Sequence, residues 1–148
     1  MNAADPVPLT ATTTYRLGLL GALAGARFTE RIGSLRLKPK DVALLGLLQS
    51  DGPTAQLTVA RRLGVAPSLV VTVADRLEVL GAVRRLRDQS DRRRQQLVLT
   101  DTGQELLTRC AAIARELDEE LTAGLDPAAR QALDAALGTL TTGPGLPS

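Results

Sequence analysis

Two short helical stretches separated by three or four residues, followed at once by alternating polarity, restrict this 148-residue chain to very few folds. Thr54 suits the cap of a helix over residues 55–63, which Gly64 stops. Pro67 opens the next helix, residues 68–80, and Gly81 closes it. Val70, Val73, Leu77 and Leu80 recur three and four apart and make its inward face. Beyond Gly81 the pattern changes: Val83 and Leu86 lead into a polar turn, residues 88–94, and Gln95-Gln96-Leu97-Val98-Leu99 follows. A helix-turn-helix with a β-hairpin appended is a winged helix.

Helices flank this unit on both sides. Residues 10–32 lack proline and place Leu17, Leu20, Leu23, Ala24, Phe28 and Ile32 at helical spacing. Pro39 suits the first position of a short buried helix carrying Val42, Leu44, Leu45, Leu47 and Leu48, ended by Ser50-Asp51-Gly52-Pro53. Thr100 or Asp101 caps a long helix over residues 102–122, and Asp126-Pro127 opens a last one to about residue 140. The expected fold class is mainly α with a small β-hairpin wing. Residues 35–101 form the winged helix-turn-helix, residues 10–34 and 102–140 a helical dimerisation region, and residues 1–9 and 141–148 disordered tails. Within the first helix, Gly18, Gly21, Ala22 and Gly25 make a stripe almost bare of side chain. Each glycine costs about 1 kcal/mol against alanine in a solvated helix, so another backbone or a ligand is expected to approach closely there.

Composition closes off much of catalysis. There is no histidine, which removes His-based metal sites and His-dependent triads, and the single cysteine, Cys110, excludes an intrachain disulfide. Neither a Gly-rich phosphate loop nor a Gly-x-Ser-x-Gly elbow is present. The chain is read as a non-enzyme without cofactor or metal. Tyr15 and Phe28 are the only aromatics, so a core of Leu, Val, Ala and Ile in helices is expected. Residues 1–8 lack the basic and apolar regions of a signal peptide, and no apolar run suits a membrane span, which makes the cytoplasm the expected compartment. Cys110, beside Ala111 and Ala112, reads as a buried structural thiol.

The net charge of +2 conceals a strong asymmetry. From Gln56 to Arg94 there are nine arginines (61, 62, 76, 84, 85, 87, 92, 93, 94) against four acids (75, 78, 88, 91), a surplus of five. From Gln104 to Leu140 there are seven acids (105, 116, 118, 119, 120, 126, 134) against three arginines (109, 115, 130), a deficit of four. Arginines this dense at a hairpin tip suit a phosphate backbone or a narrow minor groove. A protruding helix suits the wide major groove of duplex DNA, and the chain lacks the aromatics that stack unpaired bases.

In order along residues 37–107, the chain resembles the MarR family of bacterial winged-helix regulators. The matching residues are Leu37-Lys38-Pro39; Leu57-Thr58-Val59-Ala60-Arg61-Arg62-Leu63-Gly64-Val65; Pro67-Ser68 with Asp75-Arg76-Leu77-Glu78; Gly81-Ala82-Val83-Arg84-Arg85; Arg87-Asp88-Gln89-Ser90-Asp91-Arg92-Arg93; and Leu99-Thr100-Asp101-Thr102-Gly103. The resemblance implies a homodimer with interlocked terminal helices, bound to double-stranded DNA at a pseudo-palindromic operator. It also implies a transcriptional repressor released by a small anionic or phenolic effector. By the same resemblance Asp91 holds the wing in shape by pairing with an arginine, Arg93 reaches the minor groove, Arg92 and Arg94 meet phosphate or the wing's outer face, and Arg87 joins the DNA contacts. Tyr15 and Arg16 are candidates for an anionic effector, or Tyr15 packs at the dimer interface. The alternative function is a constitutive or architectural DNA-binding protein without a working ligand pocket.

The recognition helix departs from the family pattern. Where polar residues are usual, this chain has Leu69, Val70, Val71 and Thr72 after Ser68. Either Leu69 and Val71 touch thymine methyls while Ser68, Thr72 and Arg76 make polar contacts, or protein covers the patch and the wing dominates. Ala66 offers no side-chain cap to that helix.

Overall fold

The computed structural model describes residues 6–87, 89–91 and 94–143. After a short 3₁₀ turn, α1 (Thr13–Ile32) begins under Thr12, whose hydroxyl accepts the Tyr15 N–H at 3.3 Å. α2 (Pro39–Asp51) has proline in its first turn, and Asp41 reaches back to accept the Lys38 N–H at 2.7 Å. A strand of only two residues, β1 (Thr54–Ala55), leads directly into α3 (Gln56–Leu63). Gly64, at φ 62°, ends α3 in the left-handed conformation that glycine adopts without strain. α4 (Pro67–Val79) then leaves at a bend of 112°, within the range of a helix-turn-helix.

β2 (Val83–Arg87) and β3 (Gln95–Leu99) form the antiparallel hairpin of the wing, with Val83 opposite Leu99 and Arg87 opposite Gln95. β3 is central, because β1 pairs on its other side with Thr54 opposite Leu97. The sequence pattern assigns Thr54 to a helix cap instead. A two-residue strand is too short to show a period, and its pairing partner lies more than forty residues away. Otherwise the elements begin and end within a residue or two of their proline, glycine and capping signals.

α5 (Asp101–Leu121) is capped by Thr100, which accepts the Gly103 N–H at 3.1 Å. Thr100 also ties this helix start to the foot of the wing: its hydroxyl donates to the Gly81 carbonyl at 2.5 Å and its N–H to the Ala82 carbonyl at 3.1 Å. A Cβ on Gly103 would stand 2.2 Å from the Ala82 carbonyl oxygen and 2.6 Å from Leu99 Cδ1. Only glycine fits that contact, which gives the Leu-Thr-x-x-Gly run its physical reason. α6 (Pro127–Thr141) starts under Asp126, which accepts the Ala129 N–H at 2.7 Å.

The core belongs to the winged unit. Leu44, Leu45 and Leu48 of α2 meet Val59 of α3, Val70, Val73, Ala74 and Leu77 of α4, and Val83 and Leu97 of the hairpin. Ile32 and Cys110 close it from α1 and α5, and Phe28 packs at its edge. The rest of α1 lies along α5, where the Arg31 guanidinium meets both oxygens of Glu120 at 2.7 Å. That hydrogen bond raises the Arg31 pKa against a smaller desolvation effect. α6 buries none of its residues, and Gly18, Gly21 and Gly25 of α1 face open space with nothing within 4 Å of an added Cβ. No single described helix is long and apolar enough to cross a membrane.

Candidate nucleic-acid interface

The basic surplus of residues 56–94 divides into arginines that hold the fold and arginines that remain available. Arg85 of β2 is the most engaged. It donates to Asp75 at 2.6 Å and Glu78 at 2.5 Å on α4, and to Gln56 of α3 at 3.0 Å. One side chain thereby fixes the wing against both helices of the helix-turn-helix. Arg62 pairs with Asp51 at 2.8 Å, fastening α3 to the end of α2.

Arg76 is also spoken for. Sequence reasoning places it among the polar contacts to DNA, but its guanidinium turns inward and bonds Asp41, which is fully buried. Asp41 therefore closes α2 onto α4 while also capping α2 through the Lys38 N–H. In the single chain Arg76 is thus paired inward, where a buried carboxylate needs a partner, while a third of its side chain stays exposed. The carboxylate was visible in the sequence as an acid in the first turn after Pro39, but its partner 35 residues away was not.

Among the described residues, Arg61, Arg84 and Arg87 have no carboxylate partner. Arg61 and Arg87 line a groove of about 710 Å³ between the helix-turn-helix and the wing, together with Arg94. Gln56, Thr58, Gly64, Pro67 and Gln95 are among its other lining residues, and none of the described ones is acidic. Arg61, which the sequence alone does not distinguish from its neighbour Arg62, reaches this groove from the last turn of α3. Beside the groove, α4 exposes Ser68, Leu69, Val71 and Thr72, and Ala66 provides no cap. At the wing, the Arg94 N–H donates to the Asp91 carbonyl at 2.9 Å, and the Asp91 carboxylate lies 4.0 Å from the Arg94 guanidinium. Arg92 and Arg93 lie outside the described residues.

A sequence profile described as the MarR family matches residues 37–94. The HTH-type transcriptional repressor Rv2887 of Mycobacterium tuberculosis is 33% identical over 126 residues, which span 84% of this chain and 87% of that protein. The chain belongs to the MarR family. The crystal structure of the Mycobacterium tuberculosis MarR family protein Rv2887 in complex with DNA superposes with a TM-score of 0.77, at 25% identity, covering 89% of this chain and 99% of that one. Wild-type MarR from Escherichia coli, in its apo form, shares the fold at a TM-score of 0.78 and 20% identity, covering 91% of this chain and 97% of that one.

Within this MarR-family frame, Tyr15 and Arg16 sit in the first turn of α1, both exposed. Neither lines the arginine groove or the smaller acidic cleft between α5 and α6. Cys110 is buried on α5, and desolvation raises its pKa above the ordinary thiol value, with Arg109 opposing more weakly. A thiol held protonated and shielded is a poor nucleophile. The expected result is that a disulfide reagent labels native Cys110 at least roughly a hundredfold more slowly than the denatured chain. Equal rates in the two states would contradict it.

Proposed function

We propose that this MarR-family chain is a dimeric, sequence-specific repressor that binds a pseudo-palindromic operator and leaves it when a small effector binds. The observation that carries DNA binding is the groove beside the recognition helix that holds Arg61, Arg87 and Arg94 and no acid among its described lining residues. Guanidinium groups bind phosphate bidentately. The groove therefore takes the phosphodiester strand that passes between the major groove, entered by α4, and the minor groove, entered by the wing. Ser68, Leu69, Val71 and Thr72 face bases in this reading, Arg93 serves the minor groove and Arg92 phosphate, and Asp91 shapes the wing.

Dimerisation accounts for what a single subunit leaves uncovered. Leu17, Leu20 and Leu23 of α1, and Leu133, Leu137 and Leu140 of α6, are exposed leucines at helical spacing. An apolar face of this extent calls for a partner, and the bare stripe of Gly18, Gly21 and Gly25 admits another helix closely. A second copy is the occupant, since these leucines of α1 and α6 stand apart from the core cluster and closed two-fold dimers are the commonest assemblies. Leu20→Glu is expected to convert the dimer to a monomer by sedimentation and to abolish operator binding. A dimer of unchanged mass would place the interface elsewhere.

Two recognition helices held by one interface match half-sites about one helical turn apart, roughly 10 bp. An effector that binds better to another helix spacing lowers DNA affinity by linkage. Tyr15 and Arg16, an aromatic and a cation beside the glycine stripe, suit an anionic or phenolic effector in a site that the second subunit completes. The competing reading is a constitutive or architectural DNA-binding protein. It is favoured by one observation, that neither Tyr15 nor Arg16 lines either cleft of the single chain. The deciding experiment is a band-shift on the duplex upstream of the chain's own gene, followed by a panel of aromatic carboxylates. Release of a sequence-specific complex supports the effector-controlled repressor; equal binding to every duplex supports the architectural one.

A further inference from the structure

We infer that the recognition helix tells bases apart through the C5-methyl groups of thymine, with Leu69 and Val71 as the specificity-determining side chains. This rests on the DNA-binding reading above and concerns only how the sequence is read. A helix in the major groove usually discriminates by bidentate hydrogen bonds, which need Arg, Lys, Asn or Gln. None of these occurs from Pro67 to Asp75. The first cation of the helix, Arg76, is committed to buried Asp41. Asp75, a carboxylate that in other settings accepts from cytosine, holds Arg85 at 2.6 Å. The Thr72 hydroxyl donates to the Ser68 carbonyl at 3.1 Å, so its proton is committed to the backbone.

Besides the hydroxyls of Ser68 and Thr72, the side chains that the middle of the first two turns exposes are apolar. Leu69 is 38% exposed and Val71 43% exposed. Two positions apart on a helix, they lie on opposite flanks of its outer surface, so both edges that meet the walls of a groove carry branched aliphatic side chains. Ser68 supplies the hydroxyl that has no intrachain partner among the described residues. Pro67, the first residue of the same helix, lines the arginine groove. A duplex drawn onto Arg61, Arg87 and Arg94 therefore presents its major groove to this end of α4. The major-groove edges of the four bases carry one apolar group between them, the thymine methyl. Charge brings the duplex there, and the methyl is the one feature of it that these two side chains complement.

The test uses the full chain and a duplex selected by it from a randomised pool. The preferred duplex is remade with deoxyuridine in place of thymidine in both half-sites, since uracil keeps the pairing edge and lacks only the methyl. Affinity is expected to fall about fourfold for each methyl in contact, given the usual value of a buried methylene, while the salt dependence stays the same. Leu69→Ala with Val71→Ala, both at exposed positions, is expected to bind the thymine duplex as weakly as the wild type binds the uracil duplex, with no further loss on uracil. Equal wild-type affinity for the two duplexes would overturn the inference and leave DNA binding intact. An undiminished uracil penalty in the double variant would also overturn it, by assigning the methyl contact to other residues. A selection that yields no preferred sequence would overturn both this inference and the sequence-specific reading beneath it.

Discussion

Gly103→Ala is expected to lower the melting temperature by roughly 10 °C, the combined effect of an overpacking cost near 3 kcal/mol and a chain of this size. The added methyl would sit 2.2 Å from the Ala82 carbonyl oxygen and 2.6 Å from Leu99 Cδ1. Neither neighbour is free to yield. The Ala82 carbonyl accepts the Thr100 N–H, and Leu99 ends β3 directly opposite Val83. The α5 terminus cannot retreat without giving up the Thr100 cap on the Gly103 N–H. Gly46→Ala is the internal control, because it lies within α2 and nothing stands within 4 Å of its added Cβ. It should stabilise by about 0.5–1 kcal/mol through helix propensity. Thermal unfolding followed by circular dichroism reads both; a Gly103→Ala midpoint within about 2 °C of wild type would contradict the contact.

Arg76→Ala is expected to cost about 3 kcal/mol of stability and to leave the DNA affinity of the folded fraction little changed. Removing one partner of a buried ion pair leaves an uncompensated charge, which costs about 3–5 kcal/mol. The lower end applies because the Arg76 side chain is one-third exposed, and Asp41 keeps the Lys38 N–H. Asp41→Asn added to Arg76→Ala should recover most of the loss, since the buried group is then neutral and still able to accept that N–H. Denaturant unfolding of the single and double variants gives the cycle. Unchanged stability together with lost operator binding would make Arg76 a DNA contact after all.

These two variants mark where the chain explains itself and where it does not. Helix boundaries were legible because Pro39, Gly64, Pro67, Gly81 and Asp126-Pro127 act locally, within a turn of the ends they define. The wing was legible from the change of period after Gly81. What depends on distant pairing was not: β1 needs Leu97 and Gln96, and Asp41 needs Arg76. A run such as Arg84-Arg85-Leu86-Arg87 reads as uniform charge, yet in the fold Arg85 is a clamp on three side chains while Arg87 opens onto the groove. The two share one face of β2, two residues apart, and only their tertiary neighbours separate them: the acids that claim Arg85 come from α4. The Leu-Thr-x-x-Gly run was visible as a motif, but its reason is a contact with a backbone carbonyl some twenty residues earlier.

A salt titration of duplex binding shows whether the arginine groove is a phosphate seat. Wild type and the Arg61→Ala, Arg87→Ala, Arg94→Ala triple variant are compared on the same duplex by fluorescence anisotropy. With two subunits bound and about 0.9 counterions released per phosphate contact, the triple variant should show a log–log salt slope roughly five units shallower than wild type, at unchanged melting temperature. Equal slopes for the two proteins would contradict that role and remove the groove from the DNA interface.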